Sequence, residues 1–377
     1  MKPVVWVRRL PWAIVLIAIV LMSLGWFGIA RCEELTGGSG GFLRRQVGYS
    51  ALALVIMIGL SIPNYRVLCR WSYPAFLLSL LLLMVVYLFP ATHNAHRWIR
   101  VGPLGVQPSE LAKVAFVLAL ARYLMYRENY RRLWGLAVPL AITMLPVVLI
   151  LKEPDLGTAA VFLPVLFVML FAAGARRWDL ARILLMGLLA LPLLWTQMTG
   201  EQKSRVTALF EQPAADQRPS DEAYQLHQAK RMLAMGGTWG SLVAGPLTDD
   251  LAAYRLPEAH SDFVFCVLGE RFGLLGLGAV LGLFGLLLWR GAAIAVATRE
   301  PFGRLVAIGI VTLIAVQVLV NTAMTVGLLP VTGLPLPLIS YGGSGLLAHG
   351  IGLGLLLNVA LHPGYELTNE PFRYVVE

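Results

Sequence analysis

Asp262 lies in the stretch Leu256–Gly269, LPEAHSDFVFCVLG. It closes a polar entry carrying Glu258 and His260, and an apolar run from Phe263 to Trp289 follows at once. A carboxylate at the point where hydration fails is costly to bury, so it is paired, protonated or chemically engaged. Asp262 either has a functional role or caps a helix, though Ser261 is equally available to cap. Glu110 and Lys113, in RWIRVGPLGVQPSELAK, share one helical face. Pro108 suits a first helical turn, and Glu110 could reach back to the Gln107 amide. Lys113 lies a turn deeper, facing the bundle interior, where it pairs with Glu110 or meets an anion. In KEPDLGT, Asp155 is an N-cap candidate in a tight charged turn. In PVTGLPLPLISYGGSG, Pro330, Pro335 and Pro337 forbid a continuous helix in apolar sequence. Broken backbone at membrane depth is tolerated only when buried in protein or lining a cavity. Ser340, Gly342, Gly343 and Ser344 then open the last helix. They offer either N–H groups suited to phosphate or a flexible entry for tight packing. Glu270 and Arg271, inside an apolar helix, need polar partners on neighbouring helices, as in a structural ion pair.

The elements that carry these residues follow from composition. Of 377 residues, 58% are hydrophobic and 14% charged, and mean hydropathy is +0.73. Long uncharged runs recur from end to end, which excludes an ordinary soluble domain. At roughly 20 residues per span, ten helices are expected, near 11–30, 46–62, 71–90, 108–126, 134–151, 156–173, 180–198, 262–289, 303–328 and 341–361. The fold expected is an all-α, polytopic integral membrane protein, a single transmembrane domain over 1–377. The net charge of +9 resides mostly in short loops, the usual orientation signal, and no motif points to nucleic acid. The clusters Arg66/Arg70, Arg127/Arg131/Arg132, Arg176/Arg177/Arg182 and Arg290/Arg299/Arg304 fall on one side if both termini are cytoplasmic. Arg31, Arg44, Arg45, Arg97 and Arg100 blur the contrast. Three cysteines in three separate segments imply neither a disulfide framework nor a metal pattern.

One connection, 199–261, is long and polar and lies on the outer face. Within it, 221–235 has a helical apolar stripe of Tyr224, Leu226, Ala229, Met232 and Leu233, and Gly236–Gly237 stops it. An amphipathic helix on the membrane surface, or roofing a cavity, is expected. The four polar motifs all fall at this same face. No phosphate-binding loop, dinucleotide fingerprint or zinc spacing accompanies them.

Taken together, RWI…QPSELAK, KEPDLGT, LPEAHSDFVFCVLGE and TGLPLPLISYGGSG resemble the SEDS family of bacterial cell-wall polymerases. The likeness runs from about Trp12 to His362. Ser261 stands where Thr is common, and Lys152–Glu153 where a Gln is frequent. The compact termini resemble the RodA branch more than the FtsW branch. The resemblance implies the SEDS fold in the bacterial cytoplasmic membrane. It also implies a peptidoglycan glycosyltransferase that polymerises lipid II, an undecaprenyl-pyrophosphate-linked disaccharide peptide, at the outer face with inversion, in cell elongation and shape control. Asp262 then matches the family's essential carboxylate and is the catalytic base or acceptor-orienting group. Lys113, supported by Glu110, serves the pyrophosphate or the cavity's electrostatics. Arg97, Asp155 and the Ser340, Gly342, Gly343 and Ser344 stretch complete the substrate-binding set. No cofactor is implied with certainty; a divalent cation, Mg or Mn, on Asp262 and neighbouring carboxylates is left open, with no dedicated site in the sequence. The implied partners are a class B penicillin-binding protein transpeptidase and other membrane proteins of the elongation complex.

The strongest rival is a lipid II flippase or other transporter, which needs polar groups along the full membrane depth. Gln317 and Asn321, mid-helix, are the only hint of such a path. A non-catalytic scaffold leaves Lys113 and Asp262 unexplained.

Overall fold

The computed structural model describes residues 8–36, 41–63, 65–90, 96–101, 104–126, 133–210, 221–245, 254 and 256–362. The expectations for the termini, and for parts of the 199–261 connection, lie outside these residues. All ten expected spans are helices: α1 (Trp12–Thr36), α2 (Phe42–Leu60), α3 (Tyr65–Val85), α4 (Pro108–Tyr126), α5 (Ala137–Lys152), α6 (Leu156–Ala173), α7 (Arg177–Gln197), α11 (Val264–Ala297), α12 (Pro301–Val326) and α13 (Gly343–Leu361). Among the described residues, seven of these are long and apolar enough to cross a membrane: α1, α2, α3, α6, α11, α12 and α13. Of the other three, α5 is a shorter apolar helix, α4 carries Glu110, Lys113 and Arg122, and α7 opens with Arg177, Asp179 and Arg182. The chain is a multi-pass membrane protein.

The middle of the bundle is α13, the most enclosed of the seven spans. It packs along α2 and also meets α12 and α4. Gly350 and Gly354, one turn apart on α13, lie directly against the backbone of Ala53 and Met57, so any Cβ there would collide with α2. Lipid supplies no hydrophobic force between helices, so such close small-residue contact is what binds them. Asn358 extends the seam, its amide donating to the carbonyls of Leu60 and Pro63 at 2.9 Å each.

A two-stranded hairpin, β1 (Ile99–Val101) and β2 (Leu104–Val106), precedes α4 and pairs Ile99 with Val106. The sequence reading had no strands; the alternating apolar residues Ile99, Val101, Leu104 and Val106 are enough to form this pair. After the short α8 (Gly200–Thr207) comes α9 (Asp221–Gly236), and then α10 (Ser241–Ala244). Buried Leu226, Ala229 and Met232 of α9 join Phe263, Cys266 and Val267 of the α11 entry in one apolar cluster. Helix α9 therefore lies along α11 and α12. Tyr224, expected in the stripe, is exposed. α11 itself breaks at Gly273 (φ 67°, ψ −169°), where Leu274 and Leu275 donate to the carbonyls of Gly237 and Thr238. The connection thus splints a short first half of α11, which carries Asp262 at its mouth.

Candidate active site

The turn before α11 folds around one carbonyl. The amides of Ser261, Asp262 and Phe263 all donate to Glu258 O, at 3.2, 3.0 and 3.4 Å, and Ser261 Oγ donates to the Glu258 carboxylate at 2.9 Å. Phe263 occupies the N-cap of α11 and no side chain caps the helix. Asp262 is therefore not a helix cap, and its carboxylate is left for the cavity it lines. Its backbone carbonyl is held by Asn321 Nδ2 at 2.9 Å, which also donates to Leu334 O at 2.7 Å. One amide thus ties the Asp262 turn to the broken 330–342 segment. Gly333, at φ 70°, passes so close that an added Cβ would sit 3.3 Å from Asp262 Oδ2. Both the left-handed conformation and the space favour glycine.

The cavity has a volume of about 660 Å³. It gathers residues from α2, the hairpin, α4, the 153–155 turn, the 258–262 turn and the 333–346 segment. Asp262, Glu110, Arg97, Asp155, Ser340, Gly342 and Gly343 all line it. Enclosure by protein pushes the Asp262 pKa up to about 7, and the carboxylates of Glu258 and Asp155 add to this. Arg205 and the Ser261 hydroxyl oppose it. Beside it, Glu153 is buried with neither carboxylate oxygen partnered among the described residues. Desolvation, then Asp155, raises its pKa to about 8 against the pull of Arg97. Arg97 pins this turn by donating to the carbonyls of Glu153, at 3.0 Å, and Pro154. Asp155 caps α6, its Oδ1 accepting from Thr158 N at 3.1 Å.

Two expected site residues are engaged differently. Lys113 does not line the cavity; it lies beneath the floor, its Nζ 2.8 Å from Glu110 Oε1 with both side chains buried. Glu110 bridges the two levels, and its Oε2 has no partner among the described residues. The Ser344 hydroxyl is used locally, accepting from Gln107 N at 2.9 Å and donating to Gly105 O at 3.2 Å, which docks the hairpin on α13. Because Ser344 takes the Gln107 amide, Glu110 does not close a capping box. The Gly342 amide is likewise taken, by Gln46 Oε1 at 3.3 Å, while Gln46 Nε2 donates to Ser340 O. These bonds shape the α13 entry. The N–H groups of Gly343, Ser344 and Gly345, in the first turn of α13, donate no hydrogen bond among the described residues.

Below the floor, His349 spans Gly345 O and Gln317 Oε1, at 2.6 and 2.7 Å. A void of about 10 Å³, room for about one water, separates Glu110 and Lys113 from Gln317 and His349, and Val114, Ile310, Leu313 and Ile314 line the rest of it. Gln317 and Asn321 are thus consumed in fixing the site. Glu270, two turns into α11, meets Arg31 of α1 at 3.1 Å rather than its neighbour Arg271. Among the described residues no group of three His, Cys, Asp or Glu side chains is arranged to hold a metal ion.

Sequence reasoning missed Arg45, Tyr49, Arg100 and Tyr341, all of which line the cavity. The signal was present: Arg45 and Arg100 are among the cations that blurred the orientation count.

Comparison with known proteins finds relatives along nearly the whole chain. The model of a cell cycle protein family, FtsW/RodA/SpoVE, matches residues 8–364. A probable peptidoglycan glycosyltransferase FtsW of Alkalilimnicola ehrlichii is 38% identical over 93% of this chain and 89% of its own. The peptidoglycan glycosyltransferase MrdB of Escherichia coli K12 is 34% identical over 91% and 92%. Among solved structures, a chain of a peptidoglycan synthase complex coordinating polymerisation and crosslinking superposes with a TM-score of 0.77 at 34% identity, over 93% of this chain and 97% of that one. The rod shape determining protein RodA of Thermus thermophilus gives 0.70 at 32%, over 94% and 98%. Relatives of both branches match at similar identity, so similarity alone favours neither. With the match covering nearly its whole length, the chain belongs to the SEDS family of FtsW- and RodA-type membrane proteins.

Proposed function

We infer that this chain, a peptidoglycan glycosyltransferase of the SEDS family, polymerises lipid II at the outer face of the cytoplasmic membrane with inversion at the anomeric carbon. The observation that carries the reading is the Asp262 carboxylate, its pKa near 7, in a cavity lined by Arg45, Arg97 and Arg100. A base tuned to the working pH balances being ionised against driving proton transfer. In the step proposed, Asp262 accepts the proton of the acceptor sugar's hydroxyl. That oxygen forms the new bond to the donor's anomeric carbon as the bond from that carbon to the pyrophosphate oxygen breaks, and the electron pair leaves with pyrophosphate. One displacement converts an α linkage to β. The arginines, with the N-terminal end of α13, stabilise the charge that develops on the leaving group. The Lys113–Glu110 pair sets the field beneath. Among the described residues the cavity's carboxylates do not converge into a closed cation site.

The partner we propose is a class B penicillin-binding protein, a transpeptidase; the similarity to a chain from a complex that joins polymerisation to crosslinking supports this. We propose cell elongation as the role; a solved RodA is among the structures this chain resembles, and FtsW relatives match at similar identity. Rescue of rod shape, rather than septation, in cells lacking either activity tests it. Against a transporter, the space among Glu110, Lys113, Gln317 and His349 beneath the cavity has room for only about one water.

The chemical step is tested by glycan chain formation from lipid II by purified chain with its partner. Asp262→Asn is expected to lower the rate by about 10²–10⁴-fold while leaving folding and partner binding intact. Near-native polymerisation by well-folded Asp262→Asn protein would falsify the assignment.

A further inference from the structure

Next to the carboxylate, the cavity has an aromatic wall that the chemistry above does not use. His260 and Tyr341 line it. The His260 ring lies 4.6 Å from that of Phe42, tilted by 30°, and 5.4 Å from that of Tyr341, tilted by 55°. Phe42 meets Tyr341 edge-on, at 5.0 Å and 81°. The rings come from the first residue of α2, the turn before Asp262, and the entry to α13. A backbone bond from Tyr341 N to His260 O, 2.9 Å, locks two of these segments together. The protein itself thus sets the orientation of the rings before any ligand arrives.

A purely structural staple would satisfy or bury its polar edges. Here His260 and Tyr341 are only half-buried, and neither the imidazole nitrogens nor the phenol oxygen has a hydrogen bond among the described residues. One imidazole face packs on Phe42; the rest of the ring is turned to the cavity. Burial lowers the His260 pKa, against the opposing pull of Glu258, so the ring is neutral at neutral pH and keeps its electron-rich face. A ring face bordered by one donor, one acceptor and a phenol matches a pyranose, which offers a C–H face with hydroxyl and amide groups at its rim. An anion is better served by the arginines, and a lipid chain has no use for the polar edges.

We propose that His260 and Tyr341, backed by Phe42, form a saccharide ledge that seats the acceptor sugar and presents its hydroxyl to Asp262. This rests on the reading of Asp262 as the base.

The test uses the full chain with its transpeptidase partner and two probes: an undecaprenyl-pyrophosphate-linked disaccharide, and undecaprenyl pyrophosphate without sugar. Binding of each is measured in the Asp262→Asn background, so that turnover does not consume the probe, and KM and kcat in the native background. His260→Ala and Tyr341→Ala are each expected to weaken binding of the sugar-bearing probe about three- to tenfold and to raise KM, with affinity for the sugar-free lipid unchanged. His260→Phe keeps the ring stack and removes only the polar edge. It should still weaken the sugar-bearing probe selectively, by about two- to fivefold, which decides the matter if the alanine variants misfold. Equal losses for both probes, or none for either, overturn the ledge. A native chain that makes no glycan fails the earlier reading instead, because the binding comparison needs no turnover.

Discussion

At Asp262 the cavity's enclosure favours the neutral acid, and two carboxylates reinforce it. The ordinary carboxylate value is 3.8 and the folded one about 7, which fixes the direction of two pH effects. Polymerisation, needing the ionised base, should rise as pH increases through about 7 and then level off. Stability runs the other way: a carboxylate pKa raised by folding gives a contribution present below about 4 and lost as pH rises through about 7. Asp262→Asn, which removes the ionisation, should therefore melt at least as high as native protein at pH 8 in detergent, and lose that advantage at pH 5. A variant that melts lower than native protein at pH 8 would show that the carboxylate is held by favourable contacts instead.

At the scale of elements, the geometry depends on short polar ties between helices that lipid alone would not hold together. Arg31 of α1 grips Glu270 of α11 through two nitrogens, at 3.3 and 3.1 Å, and Glu270 is buried. Removing one member strands the other charge, a loss of about 3–5 kcal/mol for a buried pair. Arg31→Met is accordingly expected to lower the melting temperature sharply, and Arg31→Met with Glu270→Gln to recover most of the loss. If the double variant is no more stable than the single one, the pair is not what couples the two helices. The break at Gly273 matters to the same assembly, because the short first half of α11 runs from the turn that places Asp262 to this break.

The whole molecule is asymmetric in charge, and the orientation we propose has both termini in the cytoplasm and the cavity outside. A fluorescent protein fused to the C-terminus should then fold and fluoresce, and alkaline phosphatase fused there should be inactive. The reverse pattern would turn the cavity inward and remove its access to outer-leaflet lipid. Around the bundle, Leu184, Leu185, Leu188 and Leu189 of α7 are exposed, as suits a lipid-facing surface in a chain of this hydropathy.

The ten helices, the broken segment before α13 and the gathering of polar motifs at one face were legible in the amino-acid order. Hydrophobic length and the demand that buried charge be compensated are local properties of a membrane chain. That order also singled out Asp262, because a carboxylate at the mouth of an apolar run stands out without any partner being known. Which polar atoms remain free was decided only by the tertiary structure. Ser344 looked suited to phosphate, yet its hydroxyl docks the hairpin; of the two readings of Lys113, a pair with Glu110 or contact with an anion, the pair is the one that forms, below the floor. Arg45 and Arg100 looked like loop residues and Tyr341 like the start of the last helix, and all three line the cavity. Hydrogen-bond partners come from segments up to 298 positions apart, as Leu60 and Asn358 show, and no periodicity or motif records such a meeting. The aromatic stack of Phe42, His260 and Tyr341 is of the same kind: three separate segments supply its rings, and only the packing of α2, the Asp262 turn and the α13 entry brings them face to face.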